Sequence, residues 1–262
     1  MFIIGELING MYKNVARAIV QKDKKTICDL AIKQVDAGAQ ALDVNIGPVS
    51  KDPVSDIQWL VETIQGAVDI SLCLDSTKPK VIEAGLKLVR QKSVINSTTA
   101  DPEKLEILLP MAVQYKTHLI GLALDKKGVP QNKDQRLELA AFIAANAQDA
   151  GFPIEDLFLD PIAMPINVAQ AQQRQILESI KEFKLLSDPA PKTVIGLSNV
   201  SQGAVKRSII NRVFLAMAIE EGLDAAILDP LDNDLMDELI TAELILNKHI
   251  YCDSYLQAYK KK

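Results

Sequence analysis

The sequence predicts an α/β protein with the architecture of a single (β/α)8 TIM barrel. Eight short apolar runs alternate with amphipathic segments along the 262 residues. Each run is continuously apolar, as expected of a parallel strand buried on both faces. Eight strand–helix units in this length give about 33 residues per unit, which is typical of such barrels. A doubly wound open sheet is the alternative, but no G-x-G-x-x-G follows the first run.

The predicted strands follow one another at regular intervals. In chain order they are Phe2–Ile4, Ala41–Val44, Ser71–Leu74, Ser93–Ile95, His118–Leu124, Leu157–Leu159, Thr193–Leu197 and Ala225–Leu228. Helical stripes with the spacing i, i+3, i+4, i+7 lie between them, at Ile57, Leu60, Val61 and Ile64 and again at Ile210, Val213, Phe214 and Met217. No Gly/Ser tract or charge block divides the chain, so residues 1–262 are predicted to form one domain.

Composition excludes several classes of function. With 48% hydrophobic and 24% charged residues the chain is of globular type. A net charge of −5 disfavours sequence-independent nucleic-acid binding. The cysteines Cys28, Cys73 and Cys252 are far apart, and His118 and His249 are the two histidines, so neither a disulfide framework nor a metal site is expected. The N-terminal run lacks a basic region before it, and no apolar stretch approaches a membrane span, so a cytoplasmic protein is predicted.

A polar residue closes almost every predicted strand. The set is Glu6, Asn9, Asp43, Asn45, Asp75, Asn96, Asp125, Asp160, Asn199 and Asp229. Helix capping accounts for any single one of them, but Asp160 is followed by PIAMPIN and Asn199 by VSQG, which is too far from the next helix for an ordinary cap. In such barrels the active site lies at these strand ends.

Carboxylates and amides with almost no basic residues indicate a ligand rich in N–H donors and ring nitrogens rather than phosphates. A pterin fits this description, because its amidine-like edge presents adjacent donors that a carboxylate accepts in pairs. No phosphate-binding G-x-x-x-x-G-K-[ST], G-x-S-x-G or H-E-x-x-H pattern is present.

Several motifs resemble the pterin-binding barrel family, and within it the methyltetrahydrofolate:corrinoid/iron–sulfur protein methyltransferases. The resemblance covers essentially the whole chain, and its most specific part is the long seventh-strand motif. The motifs are GELIN (Gly5–Asn9), LDVNIGP (Leu42–Pro48), CLDST (Cys73–Thr77), INST (Ile95–Thr98), DP (Asp160–Pro161), DPAPKTVIGLSNVSQG (Asp188–Gly203), INRVFLAMA (Ile210–Ala218) and GLDAAI (Gly222–Ile227). Leu7 stands where the family usually has an arginine.

The resemblance implies a homodimer that takes the methyl group from N5 of 5-methyltetrahydrofolate and passes it to the Co(I) centre of a separate corrinoid/iron–sulfur protein, as in the acetyl-CoA pathway. It places Asp75, Asn96 and Asp160 on the pterin and Asn199 on N5, with Gly196, Ser198, Gln202 and Arg207 lining the same region. Asn199 and Asp160 are the expected catalytic residues. No D-x-H-x-x-G pattern or cysteine cluster is present, so the cobalamin-type cofactor is expected on the partner and no metal on this chain.

The methyl group leaves N5 only if that nitrogen gains positive character. Asn199 is therefore expected to donate a hydrogen bond that strengthens in the transition state, within a network through Asp160 and water. Three alternatives stay open from the residues. One is a dihydropteroate synthase, although DVNIGP lacks the Gly-rich acidic loop expected of that enzyme. The second is a methyltransferase that transfers the methyl group from another methylated corrinoid protein to tetrahydrofolate. The third is a non-catalytic folate-binding protein.

Overall fold

The computed structural model describes residues 1–48, 50–252 and 255, and in them eight parallel strands form a closed barrel. Each strand pairs with its neighbours in chain order, and the eighth pairs with the first. The strands are β1 Phe2–Asn9, β2 Ala41–Asn45, β3 Ser71–Asp75, β4 Val94–Thr99, β5 His118–Leu122, β6 Leu157–Asp160, β7 Lys192–Gly196 and β8 Ala225–Leu228. The predicted TIM barrel is confirmed.

Helices connect the strands and cover the outside of the barrel. Among the elements of residues 1–252, two helices follow β1 and two follow β6, whereas one follows each of the other strands. They are α1 Lys13–Gln21, α2 Lys24–Asp36, α3 Pro53–Gln65, α4 Pro79–Leu86, α5 Pro102–Tyr115, α6 Lys133–Asp149, α7 Ile166–Ala169, α8 Gln173–Phe183, α9 Arg207–Glu220 and α10 Asn233–Ile245. Of the described helices, none is long and apolar enough to cross a bilayer.

The helix starts follow from local sequence. Asp52 and Asp101 each accept a hydrogen bond from a backbone N–H of the first helical turn, and a proline follows each of them at the first helical position. A short polar side chain satisfies a backbone donor that the helix cannot pair, and proline fits there because its own N–H is absent. These caps set where α3 and α5 leave the barrel mouth.

Two strands continue several residues past their predicted apolar runs. β1 extends beyond Ile4 to Asn9, and β4 begins at Val94 and continues to Thr99. Glu6 and Asn96 therefore lie within strands rather than after them. A polar side chain ends an apolar run without ending the strand, because the strand is held by backbone hydrogen bonds.

One predicted helical stripe is only partly correct. The stripe of α3 is buried throughout, but on α9 Val213 and Met217 are 52% and 50% exposed. The residues of α9 that pack inward include Leu215 and Ala218, each 0% exposed. Periodicity finds an apolar stripe but not which stripe faces the core, and α9 carries apolar residues on two faces.

The apolar packing forms one layer inside the barrel and two clusters outside it. The first outer cluster lies mainly around β2–β6 and α1–α6, and the second around β7, β8 and α8–α10. The inner layer takes one residue from each strand: Ile4, Ala41, Cys73, Val94, Ile120, Phe158, Val194 and Ala225. This layer closes the barrel below the mouth.

Candidate active site

The polar residues of the site form a second layer inside the barrel, directly above the apolar one. Successive side chains of a strand point to opposite faces, so residues two positions further along each strand also point inward. Six of the eight positions hold Glu6, Asp43, Asp75, Asn96, Asp160 and Gly196, and the other two hold the apolar residues Leu122 and Ile227. Polar and apolar layers thus alternate along the barrel axis, and the polar layer faces the carboxyl ends of the strands, where such barrels bind their ligands.

Two irregular strand pairings shape this layer. The β1–β2 register shifts between Gly5 and Ile8, and the β4–β5 register shifts between Asn96 and Thr98. An extra residue in a strand bends it and changes the direction of nearby side chains, and such bulges are frequent beside active sites. Glu6 and Asn96 both lie at these shifts.

Two amide–carboxylate pairs lie side by side on β2, β3 and β4. Asn45 Nδ2 donates to Asp75 Oδ2 over 2.6 Å, and Asn96 Nδ2 donates to Asp43 Oδ1 over 3.0 Å. Asp75 is the register partner of both Asn45 and Asn96. Each amide orients one carboxyl group. Asp75 keeps free acceptor sites for a pair of ligand donors, whereas Asp43 is also hydrogen-bonded by the Cys73 thiol.

Burial dominates the electrostatics of this pair of acids. It raises the pKa of Asp75, against the hydrogen bond from Asn45. It raises the pKa of Asp43 further, with the charge of Asp75 adding to the effect and the hydrogen bond from Asn96 opposing it. Because two negative charges so close together are costly, a proton is retained on this pair more readily than on an isolated carboxyl group. The same surroundings raise the pKa of the Cys73 thiol, which fits a packing role.

Asp160 ends β6 and is 7% exposed. Burial raises its pKa to about 7, although the backbone N–H groups of Ile162 and Gly196 stabilise its ionised form. The Ile162 N–H lies 2.6 Å from Oδ1. A carboxyl group accepts a hydrogen bond when ionised and can also donate one when protonated, and burial favours the protonated form here.

Asn199 lies in the 3-10 turn Leu197–Asn199 that follows β7, and it is exposed at the mouth. Its position depends on Gly196, because a Cβ atom there would lie 3.0 Å from Asn199 Nδ2. Gly196 is also the residue whose N–H faces Asp160, so one residue without a side chain separates the two predicted catalytic groups. No side chain of the described residues bonds to the Asn199 amide, which leaves it available to a ligand.

Neighbouring groups hold the same turn from two sides. Ser198 Oγ donates to Glu6 Oε1 over 2.6 Å, and burial raises the pKa of Glu6. Arg207, at the start of α9, donates from Nε to Ser201 Oγ and from Nη2 to the Ser198 carbonyl, both over 3.1 Å. The positive charge of Arg207 also favours ionised Glu6. Arg207 therefore places a positive charge near Glu6, although residue 7 is a leucine.

The comparisons with known proteins agree with this geometry. Residues 9–229 match the family model described as pterin binding enzyme. The chain belongs to the pterin binding enzyme family. It is similar to a methylcorrinoid:tetrahydrofolate methyltransferase of Eubacterium limosum, with 28% identity over 100% of this chain and 97% of the relative. It is also similar to the methionine synthase of Mycobacterium tuberculosis, with 27% identity over 87% of this chain, which spans 20% of that protein.

Solved structures of the same shape include two dihydropteroate synthases. One, from Xanthomonas albilineans in complex with 7,8-dihydropteroate, has a TM-score of 0.68 and 14% identity over 94% of this chain and 92% of that chain. The other, from Yersinia pestis with a pterine-sulfa conjugate, has the same TM-score and identity over 95% and 94%. At this identity the likeness establishes the fold.

As a member of this family, the chain brings most of the predicted site residues to one end of the barrel. Asp75, Asn96, Asp160 and Gly196 lie in the polar layer, and Ser198 and Asn199 lie on the turn above it. Gln202 and Arg207 lie outside the polar layer and contact the turn rather than face the barrel interior. Gln202 is exposed, and its backbone N–H bonds to the Asn199 carbonyl; Arg207 contacts the Ser198–Ser201 segment. In the described residues both act on the turn itself, and a contact with ligand remains a prediction.

Other strand-end residues have local roles, as capping predicts. The side chain of Asn9 accepts from the backbone N–H of Met11, and that of Asp125 accepts from the N–H of Lys127. Asp229 accepts from the N–H of Leu231. Such bonds to a backbone N–H two residues ahead form turns. Asp160 and Asn45 make the same kind of bond, but the Asp160 side chain also belongs to the polar layer and that of Asn45 bonds to Asp75, so the bond alone does not decide a residue's role.

Neither histidine lies at the mouth. His118 begins β5, with Nδ1 3.0 Å from Asp156, and His249 contacts Glu243. Both lie beside a cavity at the opposite end of the barrel, which His118 and Glu243 line. Within the described ranges no cluster of His, Cys, Asp or Glu is arranged to hold a metal ion. Both imidazoles lie away from the polar layer.

Three site residues belong to the sequence-predicted ring of strand ends but not to the predicted ligand contacts. They are Glu6, Asp43 and Asn45, which pair with Ser198, Asn96 and Asp75. Alternation along each strand could have identified Glu6 and Asp43, because each lies two positions after an apolar residue of the inner layer. Their pairing depends on register, which single apolar runs do not determine.

Proposed function

We propose that this protein transfers a methyl group between N5 of 5-methyltetrahydrofolate and the cobalt of a corrinoid carried by a separate protein. The proposal is carried by the polar layer, in which the acids Asp75 and Asp160 lie at the carboxyl ends of their strands with an amide partner or backbone donors beside them. This donor and acceptor set complements a pterin edge. The full-length similarity to a methylcorrinoid:tetrahydrofolate methyltransferase supports the choice of reaction.

In the proposed reaction the Co(I) lone pair attacks the methyl carbon while the carbon–N5 bond breaks. The bonding pair stays on N5, which takes up one proton, and cobalt is formally oxidised from Co(I) to Co(III). The reverse reaction starts from methyl-Co(III) and the N5 lone pair of tetrahydrofolate, and it releases the proton. The corrinoid is therefore a substrate presented by the partner. This chain binds the pterin and stabilises N5 as its charge changes.

Asn199 is proposed to supply the hydrogen bond that stabilises N5 as its charge changes. The amide is exposed at the mouth, Gly196 leaves room for it, and the 3-10 turn fixes it. A donor held in place in this way contributes roughly 10²–10³ in rate. Asp160, with its pKa near 7, is proposed to exchange the proton with N5 through water.

The partner and the net direction define two candidate functions. The resemblance of the motifs favours a corrinoid/iron–sulfur protein of the acetyl-CoA pathway as acceptor, in the cytoplasm. The Eubacterium limosum relative favours a second candidate, transfer from another methylated corrinoid protein to tetrahydrofolate. One active site serves both, because a catalyst accelerates a reaction and its reverse through the same transition state.

Anaerobic absorbance spectroscopy tests the reaction. Methyltetrahydrofolate and a Co(I) corrinoid are mixed with the protein, and formation of methyl-Co(III) is followed. We expect conversion to require the protein and to fall at least 100-fold in Asn199→Ala, while Asn146→Ala, on the outer helix α6, retains activity. Methylated corrinoid proteins of both kinds are then offered with tetrahydrofolate. Tight folate binding without conversion in either direction would favour a non-catalytic folate-binding protein.

We also propose that two copies associate through α8 and α9. Val213 and Met217 are half exposed, and with Leu177 they line a largely apolar groove of about 700 Å³. Apolar side chains grouped in this way on a surface are typical of an interface. Sedimentation velocity should give twice the chain mass of 28.7 kDa, and Val213→Arg should shift the protein towards monomer. A monomeric wild type would refute this proposal.

A further inference from the structure

Arg136 is a fully buried cation outside the polar layer. It lies in the first turn of α6, and its exposed fraction is 0%. Within residues 1–48 and 50–252 no carboxylate forms an ion pair with it, and its Nη1 has no hydrogen-bond partner. Burying an unpaired charge is strongly unfavourable. A residue held under those conditions is expected to make a contact that a neutral side chain cannot replace.

Both contacts of the guanidinium are to neutral oxygens. Nε donates to the Pro161 carbonyl over 2.9 Å, and Nη2 donates to Gln172 Oε1, also over 2.9 Å. Gln172 in turn donates to Gln131 Oε1 over 2.8 Å. Arg136 therefore ties α6 to two points of the segment between β6 and α8, and the first of them, Pro161, is the residue directly after Asp160.

The segment after Asp160 has an unfavourable backbone. Ile162 has φ = +67°, in the left-handed region that β-branched residues rarely adopt. Such a conformation persists only when the surrounding structure holds it. In this conformation the Ile162 N–H reaches Asp160 Oδ1 at 2.6 Å. The bond to the Pro161 carbonyl lies in the peptide unit that joins Pro161 to Ile162, so Arg136 acts on the same turn.

We propose that Arg136 is a positioning residue that holds the Asp160–Ile162 turn, so that the Asp160 carboxyl group faces the barrel mouth with the Ile162 N–H behind it. The inference rests on the proposed function, because that proposal assigns the Asp160 carboxyl group to bind the pterin and to exchange a proton with N5. A guanidinium suits this task, since its planar donors satisfy two oxygens at fixed angles, as an ammonium group does not.

A second reading is that Arg136 only adds stability by joining two segments. The two readings differ in what happens to Asp160. If Arg136 holds the turn, its loss removes the Ile162 N–H from the carboxylate and raises the pKa of Asp160. If it only adds stability, the protein unfolds more easily but Asp160 titrates as before.

The test is a pH titration of the Asp160 carboxyl carbon by ¹³C NMR, with the signal assigned through Asp160→Asn. In Arg136→Met we expect the midpoint to rise by about 1 pH unit, because a charged hydrogen bond is lost. Arg136→Lys keeps the charge and guards against a variant that fails to fold, and it should show a smaller rise. Arg90→Met, which removes an exposed arginine bonded to the Gln65 carbonyl, is the matched control and should leave the midpoint unchanged.

A double-mutant cycle with Ile162→Gly sharpens the test. Glycine adopts a positive φ without steric cost, so the turn should no longer depend on Arg136. We expect the effect of Arg136→Met to shrink at least threefold in the Ile162→Gly background. Identical titration of Asp160 in all folded variants would overturn the inference.

Tetrahydrofolate affinity, measured by calorimetry, separates this inference from the proposed function. Arg136→Met should weaken binding about tenfold, and Arg90→Met should not weaken it. If the wild type binds no tetrahydrofolate, the proposed function fails, while the titration of Asp160 still decides whether Arg136 positions that group.

Discussion

Replacing Asp160 by asparagine should change how the stability of the protein depends on pH. The pKa of Asp160 rises from an ordinary 3.8 to about 7 on folding, chiefly through burial. The protonated form is therefore the one that folding favours, and the stability it contributes is lost as pH rises from about 4 through 7. A rise of this size corresponds to roughly 4 kcal/mol in the free energy of unfolding. The asparagine side chain in Asp160→Asn has no proton to lose, so the variant avoids this loss.

Urea unfolding at pH values from 4.5 to 9 measures the effect. Trp59, the single tryptophan, reports unfolding by fluorescence, and far-UV circular dichroism checks that the transitions coincide. The quantity followed is the free energy of unfolding of Asp160→Asn minus that of the wild type. It should increase with pH by up to about 4 kcal/mol and level off above pH 8. Because the difference is taken at each pH, the raised pKa values of Asp43 and Glu6 largely cancel.

Asp125→Asn is the matched control, because it makes the same chemical change at a strand-end residue that caps a turn on the surface. Any pH dependence that belongs to the measurement rather than to Asp160 would appear in both variants. A difference for Asp160→Asn that is constant from pH 4.5 to 9 would refute the reasoning, since it would mean that Asp160 ionises as easily in the folded protein as in the unfolded chain.

Three further outcomes follow from the same geometry. Gly196→Ala should displace the Asn199 amide and lower the methyl-transfer rate about 100-fold while tetrahydrofolate affinity changes little, which calorimetry and stopped-flow absorbance will check. Ser198→Ala should raise the pKa of Glu6, because the opposing hydrogen bond is lost; an unchanged ¹³C titration of Glu6 would contradict this. Asp75→Asn should weaken tetrahydrofolate binding about 10-fold at pH 8. Binding by the wild type should weaken as pH falls through the raised pKa of Asp75. Equal affinities of the variant and the wild type at pH 8 would argue against a carboxylate contact.

Much of the architecture could be predicted from the sequence, because each buried parallel strand corresponds to a short continuous run of apolar residues. Each of the eight apolar runs overlaps a strand, and Ala225–Leu228 matches β8 in full. The polar residues that end these runs also located the mouth. What a run of apolar residues cannot show is where a strand continues past a polar side chain, as at Glu6 and Asn96.

The contacts inside the site could not be predicted in the same way. The bonds from Asn45 to Asp75 and from Asn96 to Asp43 depend on the register of neighbouring strands, which is decided by packing around the whole barrel. Arg136 is a stronger case. It lies 25 positions before Pro161 in an ordinary helical segment, and only the fold shows that it reaches the turn after β6.

The division of the outer packing into two clusters has a consequence for how such a protein could change. The residues assigned to hold the pterin ring lie mainly on strands packed by the first cluster, whereas Ser198 and Asn199 are carried by the second. A substitution deep in the second cluster can move Ser198 and Asn199 relative to the residues assigned to hold the pterin ring, although the substituted residue touches no substrate. It would then alter the rate of transfer while leaving folate affinity intact. Adaptation to a new methyl acceptor therefore need not disturb the recognition of folate.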